Sequence, residues 1–444
     1  MTQYTSKFAG LNTIFSRPSA FGNETGSLAN GEFEAGSEVL STVKVAKVLV
    51  IGAGGLGCEV LKDLALSGLT DIHVIDLDTI DITNLNRQFL FRHKDVGRGK
   101  AEVAAEFVMG RVPGCVVTPY NCRIQEKPRE FYEQFSVIIS GLDNIEARRW
   151  LNSMLHGITE RQIDEDGEEF FEGIIPLVDG GTEGFKGQAR LIIPRCTACF
   201  ECTMESIAPA TGYAMCTIAE TPRIPEHCIA YAYISMWEKE FGGRKVDKDS
   251  ATDMQWIYEQ ALDRAKAYGI EGVTYFKTLG VVKNIIPAVA STNCTIAAAC
   301  CNEALKLITF ASQSLNCNYM IMGNEGFYTS TFEYQKKAEC IVCSSGAESR
   351  DIKVSEDMLL SELLAQLKED ASYQLKDPSV STTVGPPHDR QTKSLYLSKP
   401  PALRRATYAN LELTLQQLGL RGGDYVGITD AALFLPFNVQ LNMA

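Results

Sequence analysis

The sequence predicts an α/β protein in which a parallel sheet forms the centre, a mostly helical domain is inserted, and a small α+β module follows. Three observations predict this architecture: a glycine-rich turn between a strand and a helix, a break in strand–helix alternation after residue 205, and a Ser/Gly/Glu linker after residue 343. The length of 444 residues exceeds a usual single domain and suits two or three.

Composition excludes several classes of protein. The formal net charge of −13 argues against nucleic-acid binding, which requires clustered Lys and Arg. No stretch reaches the roughly 20 apolar residues of a membrane-spanning helix, so no membrane partner is expected. The 14 cysteines, without a secretory signal, predict thiols, metal ligands or a nucleophile rather than disulfides, in the cytoplasm or nucleus.

The glycine-rich turn lies inside a predicted βαβ unit. A strand over residues 44–51 leads into glycines spaced as G-x-G-x-x-G, namely Gly52, Gly54 and Gly57. These permit a tight turn, close approach of backbone to phosphate, and close helix packing. Asp76 ends the second strand, where it suits a ribose hydroxyl. Taken alone, this Rossmann-like fingerprint fits an oxidoreductase as well as an ATP-using enzyme.

Charged residues farther along favour a triphosphate. Arg87 in the run 84–88 and Lys100 in the run 97–100 would neutralise phosphates and a leaving pyrophosphate, although either could be a solvated surface charge. A later strand brings Asp143 to the carboxyl end of the sheet, where a carboxylate suits Mg²⁺. The alternative role for Asp143 is a helix N-cap.

Two C-x₂-C pairs predict a structural zinc site with four thiolate ligands: Cys199, Cys202, Cys340 and Cys343. Their long separation predicts a clamp between remote strands, with buried unliganded cysteines as the alternative. Cys196 repeats the spacing with Cys199 and is excluded, because four thiolates already complete the shell.

Cys216, in the run 215–219, is the candidate nucleophile. A thiolate attacks an activated acyl group readily, and the resulting thioester keeps that group activated for a second transfer. Cys228 is the rival nucleophile, and a buried structural cysteine is the other alternative.

The predicted boundaries divide the chain into five parts. An extended N-terminal arm covers residues 1–42, the nucleotide-binding domain covers 43–205 and 273–346, and the insertion covers 206–272. The C-terminal module covers 347–444, with helices near 358–367 and 411–418, the second ended by Gly419. The acidic segment 160–172 is predicted to be an exposed loop.

Together, these motifs resemble the adenylation domain shared by MoeB and ThiF proteins and the ubiquitin-activating enzymes. The resemblance implies that a modifier's C-terminal glycine carboxylate attacks the α-phosphate of ATP, giving an acyl adenylate and pyrophosphate. Asp76 would hold ribose, Arg87 and Lys100 would hold phosphate and assist catalysis, and Asp143 would hold Mg²⁺. The implied nucleotide contacts are Gly52, Gly54, Gly57, Asp76, Asp78, Asn84, Arg87, Gln88, Lys100 and Asp143.

Residues 215–219 with 222–228 resemble the catalytic-cysteine segment of eukaryotic activating enzymes, and residues 182–190, residues 222–228 and the tail's length more closely resemble the catalytic subunits of the neddylation heterodimers. This implies a Nedd-type modifier, a regulatory adenylation-like partner subunit, a thioester on Cys216, and a C-terminal ubiquitin-fold (β-grasp) domain that docks the conjugating enzyme. Arg190 would face the modifier's tail and repel the arginine that ubiquitin carries near its C-terminus.

Other functions remain open at this point. The enzyme alternatives are the catalytic subunit of a SUMO-activating enzyme and a NAD-dependent oxidoreductase, and the nonenzyme alternative is a nucleotide-binding scaffold. An oxidoreductase would leave Arg87, Lys100, the two cysteine pairs and the tail unexplained.

Overall fold

The computed structural model describes residues 7–16, 36, 38–206, 215–247, 250–282, 288–312, 315, 317–344, 350–370, 373–384 and 391–443. The chain divides into two compact units, of which the first combines Met1–Ser206 with Ala288–Ala444 and the second is Ile207–Pro287. No helix in the described ranges is long and apolar enough to span a bilayer.

The described parts of the N-terminal arm are helical rather than extended. Helix α1 spans Ala9–Phe15 and helix α2 spans Glu38–Val45. Phe15 and Val43 join the hydrophobic core of the first unit. Packing against this core therefore supplies the helical structure that the weak periodicity of the arm did not predict.

An eight-stranded sheet forms the centre of the first unit. The strands are β1 (Lys47–Ile51), β2 (Asp71–Ile75), β3 (Val116–Tyr120), β4 (Val137–Ser140), β7 (Leu177–Glu183), β8 (Lys186–Ile192), β9 (Asn318–Met322) and β10 (Tyr328–Phe332). They lie in the order β10-β9-β8-β7-β4-β1-β2-β3. The five strands from β7 to β3 in this order are parallel, while β8, β9 and β10 extend the sheet antiparallel.

Helices of this unit connect the strands in the alternating pattern that the sequence predicts. Strands β1 and β4 are almost wholly buried, as expected of a sheet covered on both faces. The helices are α3 (Gly55–Leu66), α4 (Lys100–Arg111), α5 (Arg129–Glu133), α6 (Ile145–Ile158) and α12 (Ala290–Thr309). The predicted α/β class is confirmed.

The acidic segment is a β-hairpin instead of the predicted loop. Strands β5 (Glu160–Ile163) and β6 (Glu169–Glu172) pair antiparallel and are largely exposed. Asp164 closes the turn, since its carboxylate accepts hydrogen bonds from the backbone N–H groups of Asp166 at 3.0 Å and Glu168 at 2.7 Å. A hairpin without a buried face has no apolar alternation, which is why the sequence did not predict it.

The second unit is helical in its described residues. It contains α7 (Met215–Glu220), α8 (Pro225–Tyr231), a π-helix (Ala232–Met236), α9 (Trp237–Phe241), α10 (Ala251–Ala267) and α11 (Tyr275–Val282). Its core includes Ile229, Trp237, Ile257 and, from α11, Val282. Helix α11 lies beyond the boundary expected at residue 272, so the compact unit is longer than the predicted insertion.

The described C-terminal residues form a five-stranded sheet with two helices. The elements are β11 (Arg350–Val354), α13 (Leu360–Glu369), β12 (Ser379–Val384), β13 (Gln391–Tyr396), α14 (Pro401–Thr407), β14 (Tyr425–Thr429) and β15 (Phe437–Met443). The strand order is β11-β15-β14-β12-β13, in which only β11 and β15 pair in parallel. Parallel first and last strands beside a helix with a buried apolar face are typical of a β-grasp domain.

The helix predicted over 411–418 is absent, and the described residues there form a 3₁₀ turn and a bridge. Leu413 O accepts a hydrogen bond from Leu360 N at 3.0 Å, and Leu415 N donates to Met358 O at 2.9 Å. These tertiary hydrogen bonds replace the helical ones. Gly419 has the predicted left-handed conformation, with φ of 84°.

A buried ion pair on α6 fastens the C-terminal module to the part of the first unit that contains the eight-stranded sheet. Arg149 and Glu201 are 2% and 6% exposed, and they pair through two hydrogen bonds of 2.7 and 3.1 Å. The same guanidinium donates to the backbone carbonyls of Gln374 at 2.9 Å and Tyr373 at 2.7 Å. Four acceptors therefore satisfy one buried cation.

We expect Arg149→Met to lower the free energy of unfolding by about 3–5 kcal/mol, because Glu201 would remain buried without its partner. Urea unfolding followed by fluorescence measures the change. The control is Arg161→Met, which removes an ion pair with Glu169 on the exposed hairpin and should cost at most about 1 kcal/mol. Equal losses in the two variants would contradict this assignment.

Candidate functional site

The glycine turn has the close packing that its sequence predicts. Gly52 has φ of 94°, and a Cβ on Gly57 would lie 1.9 Å from Gly52 O, so neither position accepts a side chain. Gly54 is the N-cap of α3, whose first backbone N–H groups have no partner within the helix. The turn therefore presents a helix N-terminus to an anion.

Asp76 orients this turn. Its Oδ2 accepts a hydrogen bond from Ala53 N at 2.6 Å, and its Oδ1 accepts one from Asp78 N at 2.8 Å. Burial raises the pKa of the Asp76 carboxyl, while the positive charge of Lys100 acts in the opposite direction. The sequence did not predict this contact with the turn, and the ribose contact of Asp76 stays a prediction.

Lys100 and Asp78 lie together beside Asp76. Lys100 begins α4 and is 8% exposed, and its Nζ lies 2.7 Å from Asp78 Oδ2. The Asp78 side chain is 64% exposed. The structure therefore brings together these two predicted nucleotide residues, and the ammonium can exchange an exposed carboxylate for a phosphate.

The segment 82–88 lies beside the glycine turn, because side-chain atoms of Arg87 and Gln88 are close to Gly55 and Gly54. Arg87 donates from Nη1 to Thr83 O and to Asn86 Oδ1, both at 3.0 Å, and burial lowers the pKa of its guanidinium. Asn84 Oδ1 accepts a hydrogen bond from Asp81 N at 2.9 Å, so the Asn84 side chain is used in capping the local 3₁₀ turn.

Gln88 is buried beside the glycine turn. It is 3% exposed, and its Nε2 lies 3.8 Å from the position of a Cβ on Gly54. Its Oε1 has no hydrogen-bond partner among the described residues. A buried amide oxygen without a partner costs free energy, which a ligand with a donor group would recover.

The sequence did not identify Asn293 of α12 as part of this region. Its Nδ2 lies 2.4 Å from the position of a Cβ on Gly55, and its Oδ1 accepts a hydrogen bond from the Thr182 hydroxyl at 2.7 Å. Asn293 is 2% exposed. The sequence did contain one indication of this role, because Asn293 is a polar residue within the small, mostly apolar run 285–299.

Asp143 lies after β4, as predicted, with its side chain exposed. It is not the N-cap of α6, because Asn144 holds that position and its Oδ1 accepts a hydrogen bond from Ala147 N at 2.7 Å. Arg148 fastens the preceding carbonyl of Leu142 with a hydrogen bond of 2.6 Å and also pairs with buried Asp179. The Asp143 carboxylate therefore projects from a fixed backbone and can ligate a cation.

The four predicted zinc ligands lie together. All are buried, and their sulfur atoms lie within 4.8 Å of one another. Three sulfur–sulfur distances are 3.9, 3.5 and 3.4 Å, close to the roughly 3.8 Å expected of thiolates bound tetrahedrally to zinc at about 2.3 Å. Burial raises the pKa of Cys199 well above its ordinary value, and a bound cation would reverse that shift. The cluster, which does not include Cys196, fits zinc.

Arg190 lies under this cluster rather than at an exposed surface. It is 3% exposed and donates to Cys199 O at 2.7 Å, Ala198 O at 3.1 Å and Thr203 Oγ1 at 2.7 Å. Its guanidinium also lies 4.5 Å from the ring centre of Tyr334. These contacts assign Arg190 a supporting role that the sequence did not predict, and its contact with a modifier stays a prediction.

The two candidate nucleophiles lie on neighbouring helices of the second unit. Cys216 is the second residue of α7, and its side chain lies outside the described part of the structure. Cys228 on α8 is fully buried in the core, and burial raises its pKa. Since a nucleophile needs access and a thiolate, Cys228 is poorly suited to the role.

We expect elemental analysis to find about one zinc per chain. Cys340→Ser should remove it and lower the melting temperature markedly, because the free energy of zinc binding contributes directly to folding. Cys196→Ser, which lies outside the cluster, should keep both metal and stability. A metal-free native chain of normal stability would contradict the zinc assignment.

Comparisons with known proteins agree with this arrangement. The model of the ThiF family matches residues 30–342, and the model of the E2 binding domain matches residues 353–443. The predicted identity of the C-terminal module is thereby confirmed.

Similar proteins span nearly the whole chain. The NEDD8-activating enzyme E1 catalytic subunit of Dictyostelium discoideum is 48% identical over 429 residues, which cover 94% of this chain and 93% of that protein. The subunit of the same name from Drosophila melanogaster is 44% identical over 440 residues, covering 98% and 95%. This chain therefore belongs to the ThiF family and, within it, to the NEDD8-activating enzyme E1 catalytic subunits.

Proposed function

We propose that this chain is the catalytic subunit of a heterodimeric enzyme that uses ATP to activate a NEDD8-type modifier. The identity of 48% over 94% of the chain with a subunit of that name supports this most directly. The same similarity favours a NEDD8-type modifier over SUMO. A partner subunit would supply the second adenylation-like half, and the enzyme would act in the cytoplasm or nucleus.

The first reaction would be adenylation. A carboxylate oxygen of the modifier's terminal glycine attacks the α-phosphorus of ATP, the bond from that phosphorus to the bridging oxygen breaks, and pyrophosphate leaves with the electron pair. Arg87 and Lys100 would neutralise the phosphate charge, and the glycine turn would donate backbone N–H groups. The 2.7 Å pair of Lys100 with Asp78 keeps the ammonium at this place before nucleotide binds.

Asp143 is the residue suited to hold Mg²⁺ here. Its exposed carboxylate follows β4 and is not used as the N-cap of α6. A magnesium ion at this position would add neutralisation of phosphate charge. Arg148 supports Asp143 by holding the backbone carbonyl that precedes it.

The second reaction would form a thioester. The Cys216 thiol loses its proton, its sulfur bonds to the carbonyl carbon of the acyl adenylate, and the bond from that carbon to the phosphate oxygen breaks, releasing AMP. A conjugating-enzyme cysteine then attacks the same carbon and displaces Cys216. The match of residues 353–443 to an E2 binding domain supports the C-terminal sheet as the docking module.

The alternative functions lack this support. An oxidoreductase does not need the E2 binding module. A noncatalytic scaffold does not need two cationic side chains, Arg87 and Lys100, to neutralise the phosphates of a nucleotide. The relatives named above are activating-enzyme subunits.

We expect Cys216→Ala to abolish the reducible enzyme–modifier adduct while modifier-dependent pyrophosphate exchange stays near the native rate, because adenylation precedes thiol attack. Nonreducing gels and exchange assays measure the two steps. Cys228→Ala is the matched control and should still form the adduct. An adduct on the Cys216→Ala variant would refute the assignment.

Asp143→Ala should slow pyrophosphate exchange by about tenfold or more and raise the Mg²⁺ concentration needed, because ligation of the cation is lost. The control is Asn144→Ala, which removes the N-cap at a cost of about 1 kcal/mol in stability and should retain exchange. The proposal fails if the Asn144 variant, and not the Asp143 variant, shows the increased demand for Mg²⁺.

Arg190 is proposed to select the modifier by repelling the arginine near ubiquitin's C-terminus. Arg190→Gln should then raise kcat/KM for ubiquitin much more than it alters kcat/KM for the NEDD8-type modifier. The ratio of the two should change by the equivalent of about 1–4 kcal/mol, the energy of one close like-charge contact. Because Arg190 also supports the cysteine cluster, zinc content is measured in the same samples. A parallel loss for both modifiers, accompanied by loss of zinc, would make Arg190 a structural residue only.

A further inference from the structure

The carbonyl end of the helix that carries Cys216 is held by an arginine from another helix. Arg264 of α10 donates from Nη2 to Ile218 O at 2.7 Å and to Ala219 O at 2.6 Å. Both carbonyls belong to the last turn of α7, where carbonyl groups have no donor within the helix. A cation at this end also complements the helix dipole.

Arg264 is itself held in place. Its guanidinium lies 3.8 Å from the ring centre of Tyr231 and 4.9 Å from that of Tyr268. It projects from α10, a helix of 17 residues whose buried face includes Met254, Ile257 and Ala261. The fixed guanidinium therefore links a long, well-packed helix to a short one.

The short helix needs this support. Helix α7 has six residues, far fewer than the roughly 12–15 that an isolated helix needs for stability in water. Its structure consequently depends on tertiary contacts, and the two hydrogen bonds from Arg264 are charge-assisted contacts to its last turn.

We infer that Arg264 is a positioning residue for the thioester step: by holding the carbonyl end of α7, it fixes the backbone of the helix that contains Cys216. This inference rests on the proposed role of Cys216 as nucleophile. The described contacts of Arg264 are all with residues of the second unit, whereas the nucleotide residues belong to the first, so we expect it to take no part in adenylation.

The same unit provides a matched control. Arg244 lies 4.6 Å from the ring centre of Trp237 and 4.9 Å from that of Phe241, and it pairs with Asp253 at 3.0 Å. It thus resembles Arg264 in its aromatic environment, but its described contacts are with α9 and the start of α10 rather than with α7. Replacing Arg244 reproduces the loss of an arginine–aromatic contact without releasing the Cys216 helix.

The experiment compares Arg264→Met, Arg264→Lys and Arg244→Met in the full chain bound to its partner subunit. Modifier-dependent pyrophosphate exchange measures adenylation, and single-turnover transfer from preformed adenylate measures thioester formation. Hydrogen exchange of the peptide covering residues 215–220 measures the helix itself, whichever cysteine is the nucleophile. That last measurement separates a failure of this inference from a failure of the proposed function.

Arg264→Met should slow thioester formation by about tenfold or more, the equivalent of one charge-assisted hydrogen bond, and should accelerate hydrogen exchange in residues 215–220. Pyrophosphate exchange should stay near the native rate. Arg264→Lys should recover part of the thioester rate, and Arg244→Met should match the native enzyme in all three measurements. Equal effects of Arg264→Met and Arg244→Met, unchanged hydrogen exchange in the peptide, or a parallel loss of adenylation would overturn the inference.

Discussion

The four-cysteine cluster is the constraint on which the first unit depends. It joins two segments that are distant along the chain. Residues 199–202 precede the second unit in the sequence, and residues 340–343 follow β10, the last strand of the eight-stranded sheet in chain order. Backbone carbonyls of this segment accept hydrogen bonds from buried Arg190, and Glu201, between the paired cysteines, binds Arg149. Arg149 in turn holds two backbone carbonyls of the C-terminal module, in the segment that precedes β12. A metal at the cluster would therefore stabilise both the adenylation domain and the contact through which Arg149 holds the E2 binding domain.

The nucleotide region is organised by polar contacts that exist without nucleotide. Asp76 holds the glycine turn, Asp78 holds Lys100, and Arg148 holds the carbonyl before Asp143. Each contact fixes a group that the proposed reaction would use, so less reorganisation is needed when phosphate binds. Asp78 gives up its partner at little cost, because its side chain is largely exposed.

Features with local chemical reasons could be predicted from the sequence. The glycine spacing follows from contacts such as Gly57 against Gly52 O, and paired cysteines have the spacing of a metal knuckle. Contacts between distant residues could not be predicted, since no local pattern indicates that Asn293 lies against Gly55 or that Arg149 meets Glu201. The helix predicted over 411–418 was wrong for the same reason, because its backbone pairs with residues 358–360.

ATP–pyrophosphate exchange is the decisive measurement for the proposed function, because it measures adenylation without requiring the thiol or the conjugating enzyme. We expect exchange that requires this chain, its partner subunit, Mg²⁺ and a NEDD8-type modifier ending in glycine. Exchange should stop when the modifier lacks that terminal glycine. Absence of exchange in the complete mixture, or exchange that is independent of the modifier, would mean that this chain does not activate a NEDD8-type modifier by adenylation.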